Sequence, residues 1–185
     1  MKLTTERLFL RPFRDDDRQS NADIFGDPDV RRYSLGVLDD RSANSRLNRF
    51  VTELQQMGYG MLAVEDRRDG RFIGTLGLTG FGDALKASIP SQPSLQIAWQ
   101  LAKHAWGKGL ATEGAQAVLS YAFRNLHPPE IVAITAQINA PSRRVMDKIG
   151  MLYDPSDDFS HPDIPMGHPL APHVLYRITS DEFIA

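Results

Sequence analysis

Residues Trp106-Gly107-Lys108-Gly109-Leu110-Ala111-Thr112-Glu113 set two glycines around a lysine, directly ahead of a strong helix pattern. Such a segment turns its backbone N–H groups outward at a helix N-terminus, and the chemistry it offers is the binding of a phosphate or similar anion. Two better-known phosphate loops do not fit. A P-loop runs G-x-x-x-x-G-K-[ST]. With Gly107-Lys108 as its end, the first glycine falls on Ala102 and the hydroxyl position on Gly109. In the dinucleotide fingerprint G-x-G-x-x-G, Thr112 takes the place of the third glycine. The strand-like Ile131-Val132-Ala133-Ile134, about 20 residues further on, offers no acid for a ribose. Taken alone, the glycines also fit a bare turn before a helix.

The elements around the loop are well marked. Ala111, Ala115, Val118, Leu119, Ala122 and Phe123 make one apolar stripe at helical spacing. Ahead of the loop, residues 94–101 alternate like a strand, and residues 131–138 read as a buried strand. Asn139 then suits a helix N-cap and Pro141 the first turn, and Gly150 is placed to end that helix in a left-handed conformation. Upstream, residues 7–11 read as a strand. Asp15 or Asp16 is placed to cap a helix running to about Phe25, with Gly26 as its stop. A longer helix starts near Ser42 with Leu47, Phe50, Val51 and Leu54 on its apolar face and Gly58 as its stop. Residues 59–65 and 71–78 form a hairpin about Asp66–Gly70. Residues 80–93 read as a surface loop, and residues 154–172, with five of the twelve prolines, as an irregular and largely exposed segment.

This order of strand, Trp-Gly-Lys-Gly-Leu-Ala-Thr-Glu, helix, strand and the segment Asn139 to Met151 resembles the GNAT superfamily of acyl-CoA-dependent N-acetyltransferases. Within it, the branch containing the ribosomal-protein N-terminal (alanine and serine) acetyltransferases is the most similar. Residues 5–13 look like that branch's first strand, residues 59–78 like its central hairpin and residues 173–177 like its final strand, so the likeness covers nearly the whole chain. The resemblance implies an α+β (α/β) GNAT fold in a single domain over residues 1–185. Its sheet would be mixed, mostly antiparallel, of about six to seven strands, splayed between the two central strands and flanked by helices.

The resemblance also implies an acetyl-CoA cosubstrate, with no metal, lying in the splay. Its pyrophosphate would rest on the N–H groups of Gly107, Lys108, Gly109, Leu110, Ala111 and Thr112, with Lys108 adding positive charge unless it is only a solvated loop lysine. The backbone of Trp99 and Leu101 would face the acyl group, and Asn139 would cap its helix or touch the pantetheine arm. Trp106 would serve in packing. The reaction would be attack of a neutral amine on the thioester, which needs amine deprotonation, oxyanion stabilisation and protonation of the leaving thiolate. Many relatives use a tyrosine for the thiolate, seven positions after the asparagine. Here that position is Met146, and Ser142 is the remaining hydroxyl. Many relatives have a glutamate as base where this chain has Gln96. Glu65, His161, His168, His173 or a water chain stand as substitutes. An α-amine, with an unperturbed pKa of about 7.7–8.0, would need less help than a lysine near 10.4. The acceptor would be a protein N-terminus or a small-molecule amine. Because Gln96 and Met146 lack protonic groups, a non-catalytic acyl-CoA-binding domain on the same scaffold is the alternative, and a bulkier acyl group is a third reading.

Composition is consistent with one enzyme domain. The chain has 185 residues, 42% of them hydrophobic, and a net charge of −2, which disfavours nucleic acid as a partner. There is no cysteine for a disulfide, thiolate metal site or thiol nucleophile. No apolar run suits a bilayer or a signal peptide, so a cytoplasmic protein without a membrane partner is expected. A homodimer is possible, although no sequence stripe specifies one.

Overall fold

In the computed structural model, which describes residues 1–183, the first strands are β1 (Leu3–Thr4) and β2 (Leu8–Arg11), paired antiparallel. Two helices follow, α1 (Asp17–Gly26) and α2 (Asp40–Met57). The N-terminus of α1 is built differently from the expectation. Neither Asp15 nor Asp16 caps it: Asp16 occupies the N-cap position, but its side chain accepts no capping bond. Asp17 instead takes the Arg14 N–H at 2.7 Å and a bidentate grip from Arg11 at 2.7 and 2.8 Å. Helix α2 follows its pattern. Asp39 accepts the Ser42 N–H, Leu47, Phe50 and Leu54 are buried, and Gly58 closes the helix at φ +74°.

The hairpin is β3 (Met61–Asp66) and β4 (Phe72–Thr79). Strand β4 is antiparallel to β5 (Gln96–Leu101). The strands approach closely at two glycines. A Cβ on Gly74 would lie 2.3 Å from the Gln100 carbonyl oxygen, and one on Gly77 would lie 2.2 Å from that of Gly60. Between β4 and β5 the expected surface loop is in fact ordered around helix α3 (Asp83–Ser88), and Ile89 beyond it is fully buried against Val132, Phe159 and Leu175.

The second half contains α4 (Leu110–Asn125), β6 (Glu130–Ala136), α5 (Ala140–Lys148), β7 (Leu152–Tyr153), β8 (Phe159–Ser160) and β9 (Pro172–Thr179). The sheet order is β1-β2-β3-β4-β5-β6-β9-β7, with β8 also on β9. These nine strands exceed the six to seven expected. Three of them, β1, β7 and β8, are two-residue pieces, too short to leave an alternating pattern in the sequence. The segment after β7 is less exposed than its composition suggests: Asp157 is buried on Arg177, and Phe159 is also buried.

Every pairing is antiparallel except β5 with β6. That parallel ladder consists of one pair, Gln96 with Val132. Helix α4 packs on one face through Leu110, Ala115, Val118, Leu119 and Ala122, joined there by Leu8, Leu10 and Leu76. The α1–α2 pair lies on the other face.

Candidate active site

The site begins where β5 and β6 part. Val132 N–H donates to the Leu95 carbonyl at 3.1 Å. Beyond that pair, β5 runs on to Leu101 with no partner on its β6 side among the described residues. The direction of its free groups follows from the antiparallel alternation with β4. Ala102 N–H donates to Ile73 at 2.8 Å, so Gln100 and Ala98 also point their N–H groups at β4. Trp99 and Leu101 therefore direct N–H and C=O into the furrow. The Trp106 indole N–H confirms this by reaching the Leu101 carbonyl at 2.8 Å. The indole was expected only to pack; it is 46% exposed and bonded across the rim.

A parallel pair sends both following helices off from the same end of the furrow. On one bank, Gly107 and Gly109 adopt φ of +71° and +77°, and Gly109 is the N-cap of α4 without any side-chain cap. A Cβ on Gly107 would meet nothing within 4 Å. From Gly107 to Thr112, no backbone N–H finds a hydrogen-bond acceptor among the described residues; the first intrahelical bond is Glu113 N–H to Gly109 at 3.0 Å. The Leu110 side chain is buried, so only its backbone faces outward, while Lys108 is exposed. Six consecutive free donors at the positive end of a helix dipole are suited to oxyanions.

On the other bank, Asn139 caps α5. Its Oδ1 accepts the Ser142 N–H at 3.3 Å and its Nδ2 donates to Thr135 Oγ1 at 2.9 Å. Ser142 is half-buried in the first turn, and Met146 is buried in the core at 1% exposure. The structure thus brings the Gly107–Thr112 run, the Trp99 and Leu101 backbone, Asn139 and Ser142 to one furrow.

Gln96 lies at the vertex of the furrow, but its side chain points to the face opposite α4 and donates to the Gly80 carbonyl at 3.1 Å. The substitute bases are also engaged. Glu65 accepts from Arg11 at 2.6 Å and from Arg14 at 3.4 Å. His161 and His168 accept backbone N–H groups at Nδ1, from Asp163 at 3.3 Å and Leu170 at 3.1 Å, so their neutral rings carry the proton on Nε2. His173, 8% exposed, turns Nδ1 to the Ala171 carbonyl, and burial pushes its pKa down to about 4.

Sequence reasoning missed the brace behind the loop. Glu113, in the first turn of α4, accepts from Arg7 N–H at 2.8 Å, from Arg7 Nε at 2.6 Å and from the Thr5 hydroxyl. Arg7 Nη1 in turn donates to the Lys108 carbonyl at 2.8 Å. Burial would raise the Glu113 carboxyl, but the bonds from Thr5 and Arg7 outweigh it and hold the group below its ordinary range. Thr5, Arg7 and Glu113 sit in a spacing that signals nothing by itself.

The family model for the acetyltransferase (GNAT) domain matches residues 7–152. The chain belongs to the GNAT acetyltransferase family. This GNAT chain is 34% identical over 155 residues to YkkB, an uncharacterized protein of Bacillus subtilis, covering 82% of this chain and 86% of the relative. It is similar to the crystal structure of a GNAT-family acetyltransferase from Bacillus anthracis, with 26% identity and TM-score 0.79 over 98% and 100% of the two chains. The fold is shared with RimL, a ribosomal L7/L12 α-N-protein acetyltransferase solved with coenzyme A, at 14% identity and TM-score 0.76 over 97% and 98% of the chains. Among the described residues, no helix is long and apolar enough to cross a membrane, and no cluster of three His, Cys, Asp or Glu is placed to hold a metal.

Proposed function

We propose that this GNAT chain transfers an acetyl group from acetyl-CoA to a primary amine, within a single domain. The observation that carries this is the run of unpaired N–H groups from Gly107 to Thr112 opening onto a furrow whose strands share one pair. The residues fit the cosubstrate. Two glycines at positive φ leave room for a diphosphate against the backbone, and six donors without partners suit its oxygens. The fold shared with RimL, which was solved with coenzyme A, supports the same reading.

In this reading acetyl-CoA supplies the activated acyl group, and the protein positions and solvates. Gly107, Lys108, Gly109, Leu110, Ala111 and Thr112 hold the pyrophosphate through their backbones, and Lys108 adds charge at longer range. The free N–H groups of Trp99 and Leu101 face the acyl oxygen as negative charge develops on it, a donor role that needs no side chain. The Ser142 hydroxyl donates to the departing sulfur, and the spare N–H of Asn139 serves the pantetheine arm.

Proton removal from the amine falls to solvent. Gln96 takes no proton near neutrality and orients the amine or a water at the vertex. Glu65 is bonded to two guanidiniums, His161 and His168 have Nδ1 engaged, and His173 is too weak a base. The acceptor is therefore an amine with a substantial neutral fraction near pH 7.5, an α-amine rather than a lysine. Calorimetric titration with acetyl-CoA, followed by thiol-release assays over an amine panel, tests the reading. Micromolar binding with release on some amine supports it. Binding without release on any amine supports the non-catalytic alternative, and no binding by folded protein removes both.

A further inference from the structure

Two arginines on the face away from α4 lack the carboxylate that the buried Arg11 receives. Arg46 of α2 lies between Phe25 and Phe50, 5.2 Å from each ring centroid. Arg31, in the loop after α1, lies over the same Phe25 ring at 5.9 Å. The Arg46 Nε is buried without a hydrogen-bond partner among the described residues. Arg31 Nε donates only to the Gly36 carbonyl, at 3.0 Å. Nearby acids are engaged elsewhere: Asp29 with Lys103, Asp39 with the cap of α2, and Glu53 with Arg49 at 3.5 Å. Burial, and then the charges of Arg31 and Arg49, pull the Arg46 guanidinium down to about 10, and the charge of Glu53 offsets only part of this. Two half-buried like charges thus share one aromatic ring. Stacking on aromatic rings returns less than the desolvation of an unpaired charge costs. An anion from outside would resolve the imbalance.

The location gives that anion a purpose. Phe25 shares an apolar cluster with Val30 and with Ala102, the residue directly after β5. The Val30 carbonyl accepts the Gln100 side-chain amide at 3.1 Å, from the bank of the furrow. Arg31 therefore directly follows a residue hydrogen-bonded to β5, the bank of the furrow, and Arg46 shares the Phe25 ring with it, which places both on the acceptor side rather than at the α4 N-terminus.

We propose that Arg46 and Arg31 form a carboxylate subsite, so that the amine acetylated carries a carboxylate close to its amino group. The proposal rests on the reading of the furrow as the site of acetyl transfer. A planar guanidinium fork matches a carboxylate in a bidentate manner, and a carboxamide in the same place leaves the charge unmatched. Two sources share this chemistry, a free amino acid and a peptide N-terminus followed by an acidic residue.

The test compares kcat/KM for carboxylate and carboxamide pairs: amidated Ala-Asp against amidated Ala-Asn, and free amino acids against their amides at equal concentrations of neutral amine. The wild type is expected to favour the carboxylate by at least about tenfold. Activity on the peptide pair alone points to acidic N-termini, and activity on the free amino acids alone to a small substrate. Arg46→Met and Arg31→Met are expected to erase the preference while leaving carboxamide kcat/KM and the acetyl-CoA KM within about twofold. If Arg46→Met fails to fold, Arg31→Met and Arg46→Lys, which keeps the charge but not the fork, carry the test. Equal turnover of both members of each pair, or variants that slow both equally, overturns the carboxylate subsite alone. Coenzyme binding without turnover of any amine overturns the functional reading with it.

Discussion

Arg7 and Glu113, 106 residues apart, meet at 2.6 Å behind the anion-facing turn, and Arg7 also holds the Lys108 carbonyl inside it. The turn is thus braced from the residue just ahead of β2. A Cβ on Gly109 would have Arg7 as its nearest neighbour, at 3.6 Å.

That brace is expected to matter for coenzyme affinity more than for folding. Arg7 is 42% exposed at its side chain, so the pair contributes about 1 kcal/mol at most. Arg7→Met is expected to weaken acetyl-CoA binding about fivefold in calorimetry, with kcat at saturation changed less than twofold.

Gly109→Glu is expected to abolish coenzyme binding while the far-ultraviolet circular dichroism stays native. The new side chain brings negative charge to the N–H run, in a conformation of φ +77° that side chains rarely adopt. Gly109→Ala adds only the conformational strain, about 1 kcal/mol. Micromolar binding by the glutamate variant would move the diphosphate elsewhere.

Ser142→Ala removes the hydroxyl assigned to the departing sulfur. Single-turnover kinetics are expected to slow by about 100-fold with acetyl-CoA affinity unchanged. The Asn139 cap survives, because it accepts the Ser142 backbone N–H and not the hydroxyl.

With each candidate base engaged or too weak, kcat/KM for an α-amine is expected to follow the neutral fraction of the amine. It should rise about tenfold per pH unit and level off near pH 8. An inflection below the ordinary imidazole range that is lost in His161→Gln would instead assign proton removal to that ring.

His173 gives a stability signature of its own. Its pKa is about 4 in the fold and about 6.5 in the unfolded chain, so the unfolded state binds more protons between those values. Its contribution is fully present above pH 6.5. It falls as pH drops through that window, by up to about 3 kcal/mol at pH 4. In urea titrations, His173→Phe, which keeps a ring against Phe159 and His161, is expected to flatten this slope.

The scaffold of the candidate site was legible in the sequence because its signals are local. The glycine pair, the apolar stripe of α4 and the Asn139–Pro141 start of α5 each lie within a few residues, where helix periodicity and capping operate. The side-chain partners were not legible. The grip of Gln96 on Gly80, the brace from Arg7 to Glu113 and the grip of Arg11 on Asp17 and Glu65 depend on which loops and strands become neighbours. Helix α3 was hidden because its six residues are too few for a periodic stripe, and Ile89 alone does not reveal that β6 and β9 will cover it.

Strand β5 is zipped to β4 along its whole length and to β6 at a single rung. Closing the remaining rungs would satisfy the idle amides with main-chain partners and yield a more continuous sheet. Variants selected only for resistance to heat could therefore drift toward a sealed seam, gaining robustness while becoming inert. In the proposed reading, an incomplete ladder here is the working state of the molecule.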